Sequence, residues 1–172
     1  MALFLVVGCN REAQHADVKD AVDTAMTRND LGVVKVSQDR DKGVLTLTGD
    51  VDSADKKMQA QNVAKEAAPD YVVANELAVR PPNADASQMK AVDSNLDDGI
   101  ENNYKAAIKA HKNLDDQSIH FDAKNGTLVL KGSVKTAAQK SEAMTLAKNV
   151  PNVKEVVNEL EVKPDKHSTA DR

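Results

Sequence analysis

The sequence predicts an α+β protein built from two tandem αββαβ domains, each a small three-stranded sheet packed with two helices. Three observations carry this reading. The chain repeats itself at an offset of 83 residues: laid together without gaps, residues 43–81 and 126–164 are identical at sixteen of thirty-nine positions. The shared residues form the frame Gly-x-Leu-x-Leu-x-Gly-x-Val and the tail Val-x-Asn-Glu-Leu-x-Val-x-Pro, which are positions that backbone geometry and core packing demand. Within each copy the apolar residues alternate, then recur at helical spacing, then alternate again. The offset exceeds the roughly 20–50 residues of a stacking repeat, so each copy is a domain with its own core. At 172 residues the chain accommodates two such domains of about 65–75 residues each.

In the first copy, Asp17 to Arg28 places Val18, Ala21, Val22, Ala25 and Met26 at helical spacing with no proline between them. Val34 and Val36 then alternate with polar neighbours, residues 39–43 supply turn chemistry, and residues 44–48 are β-branched and alternating. Leu45 and Leu47 share one face of this second strand, while Val44, Thr46 and Thr48 share the other, expected to be half exposed. Gly49 closes the strand. Ser53 is positioned to cap a helix through Lys57, Ala60, Val63, Ala64 and Ala67. The last strand, Tyr71 to Val79, puts Val73, Asn75, Leu77 and Val79 on one side. Asn75, like Asn158 in the second copy, therefore falls on an apolar face; its expected role is to satisfy backbone groups near the helix start or turn.

The second copy follows a polar linker from Pro81 to Ser87. Met89, Val92, Leu96, Ile100, Tyr104 and Ile108 recur at spacings of three or four. Ser94 and Asp97 offer a helix start inside this stretch and Gly99 is a weak point, so one bent helix or two are expected. Gly126 reads as a hairpin position and Gly132 as a strand end, the counterparts of Gly43 and Gly49. Thr136 and Gln139 have the spacing of a capping box. The resulting division is a truncated signal at 1–9, a first domain at 15–81, a linker or helix extension at 82–93, a second domain at 94–164 and a polar tail at 165–172.

This frame, over Asp17 to Pro81 and Ser94 to Pro164, resembles the BON domain, a small module of periplasmic and outer-membrane-associated bacterial proteins. The resemblance implies the αββαβ fold, no catalysis, and an association with phospholipid or the cell envelope. It places Gly43, Gly49, Asn75, Gly126, Gly132 and Asn158 among the structural residues of the repeat.

The run from Ala2 to Gly8 is apolar and ends at Cys9, the single cysteine. It is shorter than the ~20 residues that span a bilayer and fits the apolar region of a secretory signal. Val6-Val7-Gly8-Cys9 resembles a bacterial lipobox, which makes Cys9 the expected lipidation site. Asn10, where an aspartate would favour inner-membrane retention, points by that resemblance to the outer membrane.

Composition narrows the chemistry. The net charge is −4, and the aromatic residues are Phe4, Tyr71, Tyr104 and Phe121, with no tryptophan. Nucleic-acid binders carry a basic footprint and stacking platforms, so no nucleic acid is expected as a partner. His15, His111, His120 and His167 stand in unrelated contexts, so no metal site is expected. The pairs Asp97-Asp98 and Asp115-Asp116 are adjacent in sequence, diverge on a helix, and read as solvation or capping. There is no nucleophile elbow and no phosphate loop, so neither an enzyme nor a cofactor is expected.

What remains is the first helix of the second copy. Lys105, Lys109 and Lys112 lie at i, i+4 and i+7 around Tyr104 and Ile108, a basic stripe with an aromatic suited to a headgroup interface. An ordinary solvated helix face has the same pattern. The BON resemblance points to this helix as the phospholipid contact. The expectation is a non-enzymatic periplasmic envelope protein, anchored to the outer membrane through Cys9, that binds anionic phospholipid and supports outer-membrane integrity or osmotic and envelope stress tolerance. The alternative is a periplasmic protein-interaction or holdase-like module without direct phospholipid recognition, with envelope proteins as partners.

Overall fold

The structure, a computed structural model, describes residues 14–164; Cys9 with the rest of 1–9, and the tail at 165–172, lie outside the described residues. The first copy runs α1 (Lys19–Arg28), β1 (Lys35–Asp39), β2 (Val44–Thr48), β3 (Asp50–Val51), α2 (Ala54–Ala67), β4 (Val72–Asn75) and β5 (Ala78–Val79). The second runs α3 (Ala86–Ala110), α4 (Lys112–Asp115), β6 (Ser118–Lys124), β7 (Thr127–Val134), α5 (Ala137–Lys148), β8 (Glu155–Asn158) and β9 (Glu161–Val162). Both copies follow the helix, strand, strand, helix, strand order, with the last strand in two short pieces.

In each copy a hairpin is followed by a helical crossover to a parallel strand, the connection that a helix between neighbouring strands permits. β1 pairs antiparallel with β2 and β2 parallel with β4, while β3 and β5 form a short parallel extension. β6 pairs antiparallel with β7, which takes β8 and β9 in parallel on its other side. Lys124 faces Thr127, leaving Asn125 and Gly126 as a two-residue turn with φ of 51° and 83°. That double left-handed geometry is what an Asn-Gly hairpin turn provides.

Gly132 does not end its strand as expected. β7 passes through it to Val134, because a missing side chain is what lets β6 come this close: a Cβ at Gly132 would lie 2.0 Å from the Ser118 carbonyl oxygen, at a φ of 106°. At Gly49, the same place in the first copy, the strand is interrupted between β2 and β3.

The caps form where the hydroxyls are. Ser53 accepts the Lys56 N–H, and Thr136 and Gln139 satisfy each other's backbone donors. Val22, Met26 and Leu31 close over Leu45, Leu47, Ala60 and Ala64 to make the first core. Ile100, Tyr104 and Leu114 close over Leu128, Leu130 and Ala143 to make the second. Asn75 staples strand to helix within the first core: its Nδ2 donates to the Lys57 carbonyl at 2.9 Å and its Oδ1 accepts the Leu77 N–H at 3.4 Å. Asn158 repeats both contacts with Lys140 and Leu160, at 3.1 Å each.

Two further expectations need correction. α3 is a single helix of 25 residues that starts at Asp85, whose carboxylate accepts the Ser87 and Gln88 N–H groups, rather than at Ser94 or Asp97, and it runs through Gly99 without a break. It ends at His111, whose φ of −111° and ψ of 93° are not helical, so that Lys112 opens the separate α4. The second correction concerns the sheet face expected to be half exposed. Val44 and Ala74 are buried there against Val129 and Val157 of the other copy. The two sheets meet over this small patch, where the β4 edge lies against β8, while Val72 on the same face stays 54% exposed. Ala74 and Val157 are equivalent positions of the repeat, so the contact has an approximate two-fold character.

Candidate functional site

The carbonyl end of α3 is the region that the sequence singled out. Lys105, Lys109 and Lys112 are exposed there and make no ion pair among the described residues. Lys109 lies in the last turn of α3, where the negative end of the helix dipole favours a cation. The three do not form one stripe. The break at His111, whose Nδ1 lies 2.8 Å from the Ala107 carbonyl oxygen, separates Lys112 from the other two.

Tyr104 and Ile108 have a different role from the one expected. Tyr104 is fully buried, its hydroxyl donates to the Ala143 carbonyl at 3.2 Å, and its ring stands edge-on to Phe121 with centroids 5.0 Å apart. Burial pushes its phenol well above the ordinary range. Ile108 is buried in the same core. Neither side chain reaches a headgroup from there, so the surface candidate reduces to the three lysines. A buried tyrosine next to surface lysines has the same linear spacing as an interfacial one, and only the packing separates them.

In the first copy the matching helix offers no such surface. Lys19 of α1 is ion-paired with Asp23, one turn along. That carboxylate raises the Lys19 pKa, and Asp20 adds to it.

A second polar cluster, which sequence reasoning missed, joins the copies. Glu155 accepts from the Gln61 side chain at 2.7 Å and from the Asn75 N–H at 3.2 Å. The Thr127 hydroxyl donates to the Asn75 carbonyl at 2.7 Å, and Asn125 Nδ2 to the Glu76 carbonyl at 2.7 Å. Lys42 pairs with Glu159 at 3.0 Å. Burial lowers the pKa of Lys57, which donates to the Leu77 and Asn125 carbonyls, and raises that of Glu76. These groups serve one another across the join. The only signal in the sequence was the repeat itself: Asn125 stands where Lys42 does, and Glu76 where Glu159 does.

An open cleft of about 580 Å³ lies between the first half of α3 and the two sheets, lined with acids. Most of them are already engaged. Asp93 pairs with Arg80, Asp97 accepts the Asn125 and Gly126 N–H groups at 2.8 and 3.1 Å, and Glu101 accepts the Ala123 N–H at 3.0 Å. Asp97 and Glu101 hold α3 against the second sheet, and Asp93 ties it to the end of the first copy. Among the described residues no three His, Cys, Asp or Glu side chains converge on a metal position.

The family model of the BON domain matches residues 14–81 and again residues 96–164, together most of the chain. The chain belongs to the BON family. An uncharacterized protein in the gshII 5' region of Anaplasma centrale is 28% identical over 133 residues, covering 77% of this chain and 82% of that one. Osmotically-inducible protein Y of Escherichia coli strain K12 is 30% identical over 128 residues, covering 74% of this chain; the match spans 62% of that protein, less than two thirds of its length. Among solved structures, the C-terminal domain of CdsD, a structural protein of the type III secretion system of Chlamydia trachomatis, covers 88% of this chain and all of its own. It does so at 14% identity and a TM-score of 0.32, a likeness too remote to carry an argument. The second BON match begins at residue 96 while α3 begins at Ala86, so the first ten residues of this helix precede the BON module.

Proposed function

We propose that this BON protein is a non-enzymatic, periplasmic envelope protein of the osmotic or envelope stress response, held at the outer membrane through acylated Cys9. In this reading it contacts anionic phospholipid through Lys105, Lys109 and Lys112. The supporting observation is that Lys105 and Lys109 near the carbonyl end of α3, and Lys112 at the start of α4, are exposed and make no ion pair among the described residues, in a chain of net charge −4. Kinship with osmotically-inducible protein Y supports the stress assignment. Each lysine near an anionic surface contributes about 1 kcal/mol, so the patch steers and orients the domain while multiple acyl chains at Cys9 supply the anchor.

The test uses the full chain carrying Cys9→Ala, which removes the anchor. It should co-sediment weakly with vesicles rich in phosphatidylglycerol at low salt and not with phosphatidylcholine vesicles. Replacing Lys105, Lys109 and Lys112 together by glutamine should abolish that binding with an unchanged circular dichroism spectrum. Unchanged co-sedimentation would move the function to protein partners. In a bacterial host with an intact signal, Cys9→Ala should shift the protein to the soluble periplasmic fraction, and palmitate labelling that survived the substitution would remove the anchor from this account.

A further inference from the structure

We infer that the outward face of α3 is a homotypic interface, at which a second copy of this chain packs antiparallel against the first. The argument begins from an inversion. On a helix that merely covers a core, charged residues face water and apolar residues face the protein. In the first half of α3 the order is partly reversed, with Lys90 and Asp98 still exposed. Asp93 and Asp97, with Glu101 one turn further, point into the molecule and are held by Arg80, the Asn125-Gly126 turn and the Ala123 N–H. Val92 and Leu96 point out, 57% and 43% exposed. The polar clamps fix this orientation, so the exposed apolar side is built in.

The residues along this side, of which Val92, Leu96, Asn103 and Ala106 are exposed and Met89 and Gly99 half-buried, also have their own period. Met89, Val92, Leu96, Gly99, Asn103 and Ala106 follow one another at spacings of three, four, three, four and three, the repeat of a two-helix seam, and none is charged. The core stripe of Ile100, Tyr104 and Ile108 runs beside it at spacings of four. A fold that needed only the core stripe would leave the neighbouring positions to charged residues.

The chemistry of this face selects the partner. A helix that lies in a bilayer surface carries large aromatic or leucine side chains flanked by lysines. This seam has no aromatic, and asparagine and glycine interrupt it. An uncharged face is compatible with itself in either direction, and its sizes are complementary antiparallel. With a two-fold axis midway between Val92 and Leu96, each Val92 faces the other Leu96, and each Met89 lies over the other Gly99. Gly99 supports that register: a Cβ there would meet nothing within 4 Å in the protein's own fold. A glycine costs helix stability that this fold does not require, whereas a partner's methionine uses the space. In this register the two helices overlap over residues 86–102, about 26 Å, with Asn103 and Ala106 beyond the overlap, and a helix pair of that length buries on the order of 1,000 Å², the lower limit of a specific interface. A weak dimer is therefore expected. Lys105 and Lys109 lie on a different side of the helix and stay free, so the inference does not depend on phospholipid binding.

The full chain with Cys9→Ala should show reversible self-association in sedimentation velocity, its mean mass rising from one chain toward two as concentration increases. Adding Val92→Asp and Leu96→Asp should leave a single monomeric species at every concentration, with the same thermal melt, since both side chains are exposed. A second measurement does not depend on that variant folding. Cys9→Ala leaves no cysteine. The combined Val92→Cys and Leu96→Cys substitution in this background should then form covalent dimers under mild oxidation, whereas Met58→Cys, at another site 57% exposed, should not. A chain that stays monomeric at the highest concentration, or association that survives the two aspartates, would overturn the inference. So would a monomeric parent whose vesicle binding is lost with the two aspartates, which would make the face a membrane contact.

Discussion

Helix α1 has 10 residues and helix α3 has 25, yet each gives its own sheet the same three contacts at the same spacing. Val18 at the N-cap, Val22 and Met26 supply them in the first copy, and Ile100, Tyr104 and Ile108 in the second. The BON core therefore uses about three turns of helix. What α3 carries beyond that core is an additional N-terminal segment and lysines that no carboxylate pairs with among the described residues, where α1 has a lysine paired to Asp23. The difference separates what folding requires from what it leaves open, and it directs the search for function to the second copy.

The strongest way to break the comparison is to separate the copies. Ala74 is 1% exposed in the join between the sheets, and Ala74→Asp would bury a charge without a partner there. It should cost about 3–5 kcal/mol and split one denaturant transition into two, one for each copy. A single unshifted transition would refute the packing of the two copies at this patch. Next come the paired glycines. Gly132→Ala drives a Cβ into the Ser118 carbonyl and should cost roughly 3 kcal/mol or more, whereas Gly49→Ala, 3.0 Å from the Val33 carbonyl, should cost about half as much in the same urea titration.

The paired asparagines sharpen the contrast further. Asn75 is buried and its backbone is tied into the join, while Asn158 is half-buried. Asn75→Ala should cost about 2–3 kcal/mol and Asn158→Ala about 1 kcal/mol, read as shifts of the unfolding midpoint.

The smallest effects should differ in sign. Burial holds the Glu76 carboxyl above its ordinary 4.5, and Lys124 at 3.5 Å offsets this only in part. Folding therefore favours the protonated form, a stabilisation present below pH 4.5 and lost as pH rises through the elevated value. Glu76→Gln should match the parent in acid and exceed it at pH 7. Glu159, the equivalent residue, accepts from Lys42 and is the main cause of that lysine's raised pKa. Glu159→Gln should be less stable than the parent at pH 7. Stability measured across pH for the two variants checks both signs.

The fold was readable because its determinants are local or repeated. Ser53, Thr136 and the Asn125-Gly126 turn announce themselves by residue type, and the leucines of β2 and β7 by alternation. The site was readable only in part. Lys105 and Lys109 are surface residues on any reading of the helix, but the position of Lys112 depends on a break at His111, where neither proline nor glycine marks it. Tyr104 is amphipathic, so its spacing fits a core or an interface equally well. The join between copies was illegible for another reason. Val44 and Thr46 alternate like the outer face of any sheet, and nothing local shows that a second sheet will cover them.

The order of synthesis gives that join a further meaning. β4 is the last strand of its sheet, and the outward N–H and C=O of Asn75 are satisfied by Glu155 and Thr127, residues that leave the ribosome 80 and 52 positions later. Until they arrive, the first copy presents an unpaired strand edge beside the uncovered Val44 and Ala74, the combination that recruits strands from other chains. The second copy thus shields the first from aggregation, and excising the first copy at Pro81 would expose that edge permanently.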